Sequence, residues 1–282
     1  MVTELPIQIG MNGRFFPENW RPARDEIVFA SLSGFRCLQF PGPLEGLGLE
    51  RLGDSLETVA MALRRARMTA VMEMVVPLYG NGRTTTGHTP MDVLRANLQA
   101  IITLPCRRVH WHIGLKEPLS AADVAALEMS LWPQFAAAVA LAKTHGFLFG
   151  FEHNAFDAPI FHHPESCRKA LTAVPNLGFV WDFNHTRPEE FAAFAALASR
   201  FSLLHISDTV WPDVNHHLPL GQGSLDLKGF CRAVLAGGFR GPAILEIGGL
   251  PKSGGYGRDT DDALHESRQH LVTAVTAVMR EL

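Results

Sequence analysis

Short apolar runs alternate along this chain with longer segments whose apolar residues recur every three or four positions, one cycle taking roughly 25–40 residues. The short runs are 6–11 (PIQIGM), 34–40 (GFRCLQF), 69–76 (TAVMEMVV), 107–113 (RRVHWHI), 147–153 (FLFGFEH), 177–183 (LGFVWDF), 201–207 (FSLLHIS) and 242–248 (PAILEIG). Runs this short and this apolar read as strands covered on both faces, the pattern of a parallel sheet. With a helical segment after each strand, eight such units are the number that closes a barrel. The expectation is an α/β protein, a single (β/α)8 TIM barrel over 1–282.

The segments between the strands carry helix punctuation. In 120–145 the residues Val124, Leu127, Leu131, Phe135 and Val139 share one face, Ser120 stands at the start and Asp123 follows at capping-box spacing. Thr89-Pro90 reads as an N-cap followed by proline in the first turn. A last helix runs from about Asp259 to the end, with Leu264, Leu271, Val275, Val278 and Leu282 on one side. Gly146, Gly237 and Gly238 are placed to stop helices just before strands.

Composition narrows the function classes. Apolar residues are 47% and charged residues 19% of the chain, and the net charge of −3 gives no electrostatic reason to expect a nucleic acid or an anionic membrane as partner. Cys37, Cys106, Cys167 and Cys231 form no CxxC pair, so neither a zinc-thiolate knot nor a redox dithiol is indicated. No apolar stretch approaching 18 residues is read, and MVTELPIQIG lacks a basic segment followed by an apolar run. A cytoplasmic protein acting on a small molecule, as a homodimer or homotetramer, is the expectation.

Against this apolar background several strands end in residues that do not belong in a dry interior. Strand five ends Glu152-His153-Asn154, strand six Asp182-Phe183-Asn184-His185, strand seven carries His205 and Asp208, and strand eight ends in Glu246. Strand four offers His110 and His112 on one face, the first read as structural or outward-facing, the second as a pocket candidate. A buried charge costs several kcal/mol unless it is paired or coordinated. One such residue would be a salt-bridge partner or a cap. Glu152, Asp182, His205 and Glu246 at equivalent strand ends instead suit one divalent cation, and three carboxylates with one imidazole favour Mn²⁺ or Mg²⁺, with Co²⁺ and Zn²⁺ also compatible. The loop pairs His162-His163 and His216-His217 read as solvated, and Trp111, Trp181 and Trp211 as core. Arg14, Arg83, Lys252 and Arg258 read as solvated charges, and the glycine-rich run 253–257 as a loop that could cover the mouth.

The succession FEHN, WDFNH, LLHISD, LGQGSLDLKGF and GPAILEI resembles the xylose-isomerase-like sugar isomerases and epimerases over the second half of the chain. Asp182-x-x-His185, the glycines Gly221 and Gly223 with Asp226, and Glu266-Ser267 are its most specific parts. The resemblance to ketose 3-epimerases implies that Glu152, Asp182, His205 and Glu246 hold one Mn²⁺-like ion. It also implies that Glu152 and Glu246 exchange the substrate proton, one on each face of the carbon, through a stabilised enediolate. His185 would then meet a substrate oxygen, with His112, His217 and Asn154 as further substrate-binding candidates. Two departures stand out. His217 occupies the position of a substrate-binding arginine, and the segment DTVWPDVNHHLP is longer than in those epimerases. That segment resembles a loop of the second family of apurinic endonucleases, with Asn215 in place of a metal-binding aspartate and Val75-Val76-Pro77 in place of a strand-three histidine.

Four functions follow in order: a metal-dependent isomerase or epimerase of a small ketose or hydroxy-keto acid, and a metal-dependent dehydratase of a cyclic polyol or keto acid using the same ion. An apurinic-endonuclease-like phosphodiesterase and a non-catalytic metal-binding barrel come after them.

Overall fold

A computed structural model describes residues 5–15, 21–248 and 257–282. Eight parallel strands close into a barrel in sequence order. They are β1 (Gln8–Asn12), β2 (Cys37–Pro41), β3 (Thr69–Leu78), β4 (Cys106–Leu115), β5 (Leu148–Glu152), β6 (Gly178–Asp182), β7 (Phe201–Ile206) and β8 (Pro242–Leu245). The pairing of Gln8 with Pro242 and of Met11 with Leu245 completes the ring, so no strand edge is left exposed. This is the (β/α)8 TIM barrel that the alternating pattern predicts. Each expected strand is present, although β8 ends at Leu245 and Glu246 is the first residue past it.

The helices that form the outer ring include α1 (Ala23–Leu32), α2 (Leu49–Leu52), α3 (Leu56–Ala66), α4 (Pro90–Thr103) and α5 (Ala121–His145). They continue with α6 (Pro164–Ala173), α7 (Phe191–Ala195), α8 (Leu227–Ala236) and α9 (Asp261–Met279). The predicted punctuation is largely where the sequence puts it. Thr89 caps α4 in a full capping box with Asp92, Ser120 caps α5, and Gly146 stops α5 in the left-handed conformation at φ 76°. α9 starts two residues later than Asp259, behind Thr260, and ends before Leu282, which is exposed rather than part of its apolar face.

One expectation needs correcting. α5 is long and apolar enough, by length and composition alone, to cross a membrane, where no such stretch was expected. In the barrel its stripe of Val124, Leu127, Leu131, Phe135, Ala138 and Ala142 is buried, and most of its remaining apolar residues are small alanines.

Strand alternation divides the side chains into two sets. Outward-facing Trp111, Phe151, Phe179 and Trp181 are fully buried under the helices, in contact with residues such as Phe135 and Phe230. Inward-facing Cys37, Val71, Val180, Leu203 and Ile244 form a separate apolar cluster, the floor on which the functional layer rests.

Candidate metal centre

Two residues beyond that floor, toward the C-terminal end, the inward positions turn polar on strand after strand. Cys37 gives way to Gln39, Val71 to Glu73, Val180 to Asp182, Leu203 to His205 and Ile244 to Glu246, while β5 presents Glu152 at its end. The period of two along each strand puts these groups at one level of the barrel. Glu152, Asp182, His205 and Glu246 each bring a ligand atom within 4.8 Å of those of the other three. Glu152, Asp182 and His205 have no solvent exposure, and Glu246 has very little. His205 Nδ1 lies 3.0 Å from Glu152 Oε1 and 3.3 Å from Glu246 Oε2.

The electrostatics of this layer show what the donor set lacks. Burial raises the Glu246 carboxyl well above its ordinary range, with Glu73, Glu152 and Asp182 adding to it against the charge of His205. Burial and Glu152 together push Asp182 up to about 8. Burial opposes the charge on Glu152 as well, but His112 and His205 outweigh it and hold that carboxyl well below its usual value. His205 is held well above its usual value by Glu152 and Glu246, against the effect of burial. The layer thus contains more carboxylates than its imidazoles can neutralise. Two of its oxygens, Glu152 Oε2 and Asp182 Oδ2, are buried with no hydrogen bond among the described residues, although imidazole nitrogens of His112 and His185 lie 3.3 Å from them. Both features fit a divalent cation, and three carboxylates with one imidazole make a hard donor set.

Beneath the cluster lie two residues the sequence reading missed. Gln39 Oε1 accepts from His205 Nε2 at 2.9 Å, while its amide nitrogen donates to Glu73 Oε2 at 2.9 Å and to Glu246 Oε1 at 3.3 Å. This leaves Nδ1 as the nitrogen of His205 available to a cation, an orientation of the kind that tunes metal affinity from behind the ligand. Glu73 is largely buried, yet His112 keeps its carboxyl below the usual range against burial and the Glu152 charge. Also contrary to expectation, His110 faces inward. It is buried under the cluster with its ring 5.1 Å from that of His205, and neither ring nitrogen has a hydrogen-bond partner.

The four substrate-binding candidates surround the same centre in different ways. The rings of His112 and His217 each lie 5.7 Å from that of His185. His185 donates from Nδ1 to the His153 carbonyl at 3.0 Å, and Nε2 points to Asp182 Oδ2 at 3.3 Å. Burial lowers its pKa well below the usual value, so the ring is neutral. His217 donates from Nδ1 to the Glu246 carbonyl at 2.9 Å, and burial brings it down to about 4. Asn215 and His217 both hold positive φ, 65° and 50°, a conformation uncommon for histidine that the loop fixes here.

His112 has an acceptor at each nitrogen, Glu73 Oε1 at 3.1 Å and Asn154 Oδ1 at 2.9 Å. Burial resists its charge, but Glu152 and Glu73 raise it to about 10 and the ring is an imidazolium. Asn154 donates both amide hydrogens to the Ile113 and Ile160 carbonyls. Its oxygen is therefore fixed toward His112, and Asn154 is the anchor behind that ring rather than a group presenting donors to the mouth.

Several motif residues turn out to build the site's frame. Asp208 accepts from the backbone nitrogens of Thr209, Gly221 and Leu225. A β-carbon at Gly223 would come within 2.2 Å of the Thr209 carbonyl, so only glycine permits that approach. Asp226 caps α8, and Ser267 Oγ accepts from Leu220 N at 3.0 Å. Arg14, read as a solvated charge, is buried and bound to Glu26 at 2.7 Å and Asp261 at 2.7 Å. Lys252 and most of the glycine-rich loop lie outside the described residues. A cavity of about 590 Å³ opens beside the cluster, lined by Asn12, Gly13, Glu73, Val75, Pro77 and Ile247 among others. Val75 is 55% exposed and pairs with His112, so the strand-three position carries no metal-binding atom.

The fold aligns with solved structures over nearly its whole length. A structure described as L-ribulose 3-epimerase superposes with a TM-score of 0.77 at 13% identity, over 98% of this chain and 96% of the other. The IOLI protein with a binding zinc atom gives 0.75 at 14% identity, over 96% and 99%. AP endonuclease, family 2, from Brucella melitensis gives 0.69 at 18% identity, over 94% and 99%. At these identities the likeness is one of fold. No curated protein matches the sequence. Residues 27–272 match the family described as xylose isomerase-like TIM barrel, and with a match over most of its length the chain belongs to that family.

Proposed function

We propose that this protein is a divalent-metal-dependent isomerase or epimerase of a small ketose or hydroxy-keto acid, with Mn²⁺ as the favoured ion. The observation that carries the reading is the pair of buried, unpartnered oxygens Glu152 Oε2 and Asp182 Oδ2 within a set of three carboxylates and one imidazole. The epimerase and isomerase names among its structural neighbours point to the same chemistry.

The cation that Glu152, Asp182, His205 and Glu246 would hold supplies Lewis acidity, polarising a substrate carbonyl and acidifying the C–H beside it. The remaining work belongs to the protein's own groups. Glu152 enters from the end of β5 and Glu246 from the end of β8, so the two carboxylates approach from separated strands of the ring. One takes the proton and the other returns it to the opposite face. Asn12 and Gln39 donate to Glu246 Oε1 at 3.5 and 3.3 Å and hold it in place. The neutral ring of His185 meets a substrate oxygen through Nε2, with His217 beside it. The His112 imidazolium, anchored by Asn154, contributes positive charge where a substrate oxygen gains negative charge. The 590 Å³ cavity is of the size that small-molecule sites use.

The test joins elemental analysis of purified protein, with Glu152→Gln as control, to deuterium exchange from D₂O into a panel of ketoses and hydroxy-keto acids. About one divalent ion per chain, lost in the variant, together with exchange at the carbon beside the carbonyl, is expected. No ion after Mn²⁺ titration, two or three zinc ions per chain, or turnover without exchange would each overturn the reading.

A further inference from the structure

The opposite end of the barrel holds a second cavity, of about 750 Å³, around the start of β1. Its apolar wall is Leu5, Ile7, Ile9, Val272 and Met279, and its polar rim is Gln8, Thr69 and four arginines, Arg36, Arg67, Arg268 and Arg280. The arginines come from four separate places: the turn before β2, the left-handed C-cap of α3, the first half of α9 and the residue that ends α9. None of the four has a carboxylate within 4.0 Å among the described residues, although the chain as a whole is acidic. Several other arginines are ion-paired, Arg14 and Arg21 with Glu26 and Asp261, Arg187 with Glu190, Arg232 with Glu281, while Arg200 and Arg240 bond backbone carbonyls.

Arg268 is the centre of this group. Its guanidinium lies against Gly34, where a β-carbon would come within 2.8 Å of Nη2, and 6.0 Å from the ring centroid of Phe35. Its Nε is buried with no hydrogen-bond partner among the described residues. Burial, with the charge of Arg36, lowers its pKa from the ordinary value, so the protein holds this cation at a cost that an anion would offset. Arg36 spends one N–H on the Phe35 carbonyl at 3.2 Å and keeps its other donors. Inside the barrel floor a fifth guanidinium, Arg108, also has an unpartnered Nε and adds positive charge near Cys37.

We infer that the N-terminal mouth is a binding site for a small organic phosphate, its phosphoryl group held by Arg268, Arg36 and their neighbours and its body seated on the apolar wall of Ile7, Ile9 and Val272. Forked guanidinium donors match phosphoryl oxygens, and an enclosing apolar wall favours an ester over the bare ion. The site is independent of the metal reading, because it shares no residue with the other mouth.

The experiment is isothermal titration of the full chain at fixed ionic strength with phenyl phosphate, with inorganic phosphate and with sodium chloride. Each titration is run before and after chelator treatment, so that an anion held by a cation at the C-terminal mouth is recognised. Saturable 1:1 binding of phenyl phosphate that survives the chelator is expected, tighter than inorganic phosphate. It should weaken at least tenfold in Arg268→Gln and in Arg36→Gln, the latter a change at an exposed side chain that keeps the fold testable. Binding lost with the chelator, or unchanged in both variants, would overturn the inference. So would equal affinity for chloride, or stoichiometric binding of a single-stranded oligonucleotide in preference to the ester.

Discussion

At the C-terminal mouth of this barrel, Glu73, Glu152, Asp182 and Glu246 crowd one buried layer with imidazoles as their only positive partners. At the N-terminal mouth four arginines share a cavity with no carboxylate within 4.0 Å of them among the described residues. Both ends concentrate like charge, but they relieve it differently. The C-terminal layer is enclosed, so desolvation is the leading influence on every group in it and the strain shows as protons taken up by Asp182 and Glu246. The N-terminal groups are mostly solvated, and only Arg268 lacks a partner for a buried atom. The enclosed end therefore requires a cation to be fully ionised, whereas the open end is stable without its ligand and gains from one. That difference matches a resident cofactor at one mouth and an exchangeable small molecule at the other.

The largest expected effect tests the enclosed end. Glu246→Gln keeps the size and hydrogen bonds of the side chain but removes its base, so kcat should fall on the order of 10³-fold while circular dichroism stays unchanged. An unaltered rate on the true substrate would remove Glu246 from proton transfer and leave it a ligand alone.

The next effect is the pH dependence of cation binding. Between pH 6.5 and about 8 the groups with raised pKa values dominate. Asp182 and Glu246, with raised pKa values, still keep protons that the unfolded chain has lost, and so do His112 and His205. The folded state binds more protons than the unfolded state, so chelator-treated protein should lose stability as pH rises through this window. His110, His153, His185 and His217, lowered by burial, are neutral in the folded state while the unfolded chain is still about half protonated at pH 6.5, so they oppose this trend at the lower end of the window and cease to contribute toward pH 8. Because an arriving cation displaces a proton, its affinity should climb about tenfold per pH unit over the same range. A Mn²⁺ titration followed by the melting temperature at pH 6.5 and pH 8 checks both statements, and equal shifts at the two values would contradict them.

How much of this was legible in the sequence depends on what each residue interrupts. Glu152, Asp182, His205 and Glu246 were visible because a carboxylate or imidazole at the end of an apolar strand breaks a pattern the eye follows. Glu73 breaks the same pattern in the middle of TAVMEMVV, and Gln39 does so within RCLQF, so the signal was there. It is weaker there because the polar layer meets β2 and β3 at residues inside the apolar runs, where one polar residue reads as an interruption rather than an end. The buried state of Arg14 could not be read at all, since Glu26 and Asp261, which hold it, are 12 and 247 residues away. The arginine group was hidden for the same reason. Arg36, Arg67 and Arg268 are far from one another in sequence, and barrel closure alone brings β1, β2 and α9 together. Helix caps were legible because their partners lie three residues away, as in Thr89 and Asp92.

A smaller effect tests the missed layer directly. Gln39→Leu removes the acceptor that fixes His205 Nε2 and two donors to carboxylates, while keeping much of the volume. Mn²⁺ affinity should weaken by roughly tenfold, a typical cost for a group behind a metal ligand. Gln39→Glu should not restore it, since it adds a further carboxylate to a layer that already has too many. Direct titration of both variants is the measurement, and undiminished affinity in Gln39→Leu would show that the ligands hold their own geometry.

The smallest effect separates the two mouths. Gly34 has φ +85°, and a methyl group there would meet the Arg268 guanidinium at 2.8 Å, so Gly34→Ala combines a left-handed backbone penalty with displacement of that side chain. The backbone term is about 1–2 kcal/mol, enough to lower the melting temperature by a few degrees without unfolding the barrel. If the ends are independent, phenyl phosphate binding should weaken in this variant while Mn²⁺ affinity at the far mouth stays as it was. Metal affinity that fell together with phosphate binding would mean that the apolar floor of Cys37, Val71, Val180, Leu203 and Ile244 transmits a change between the mouths, rather than insulating one from the other.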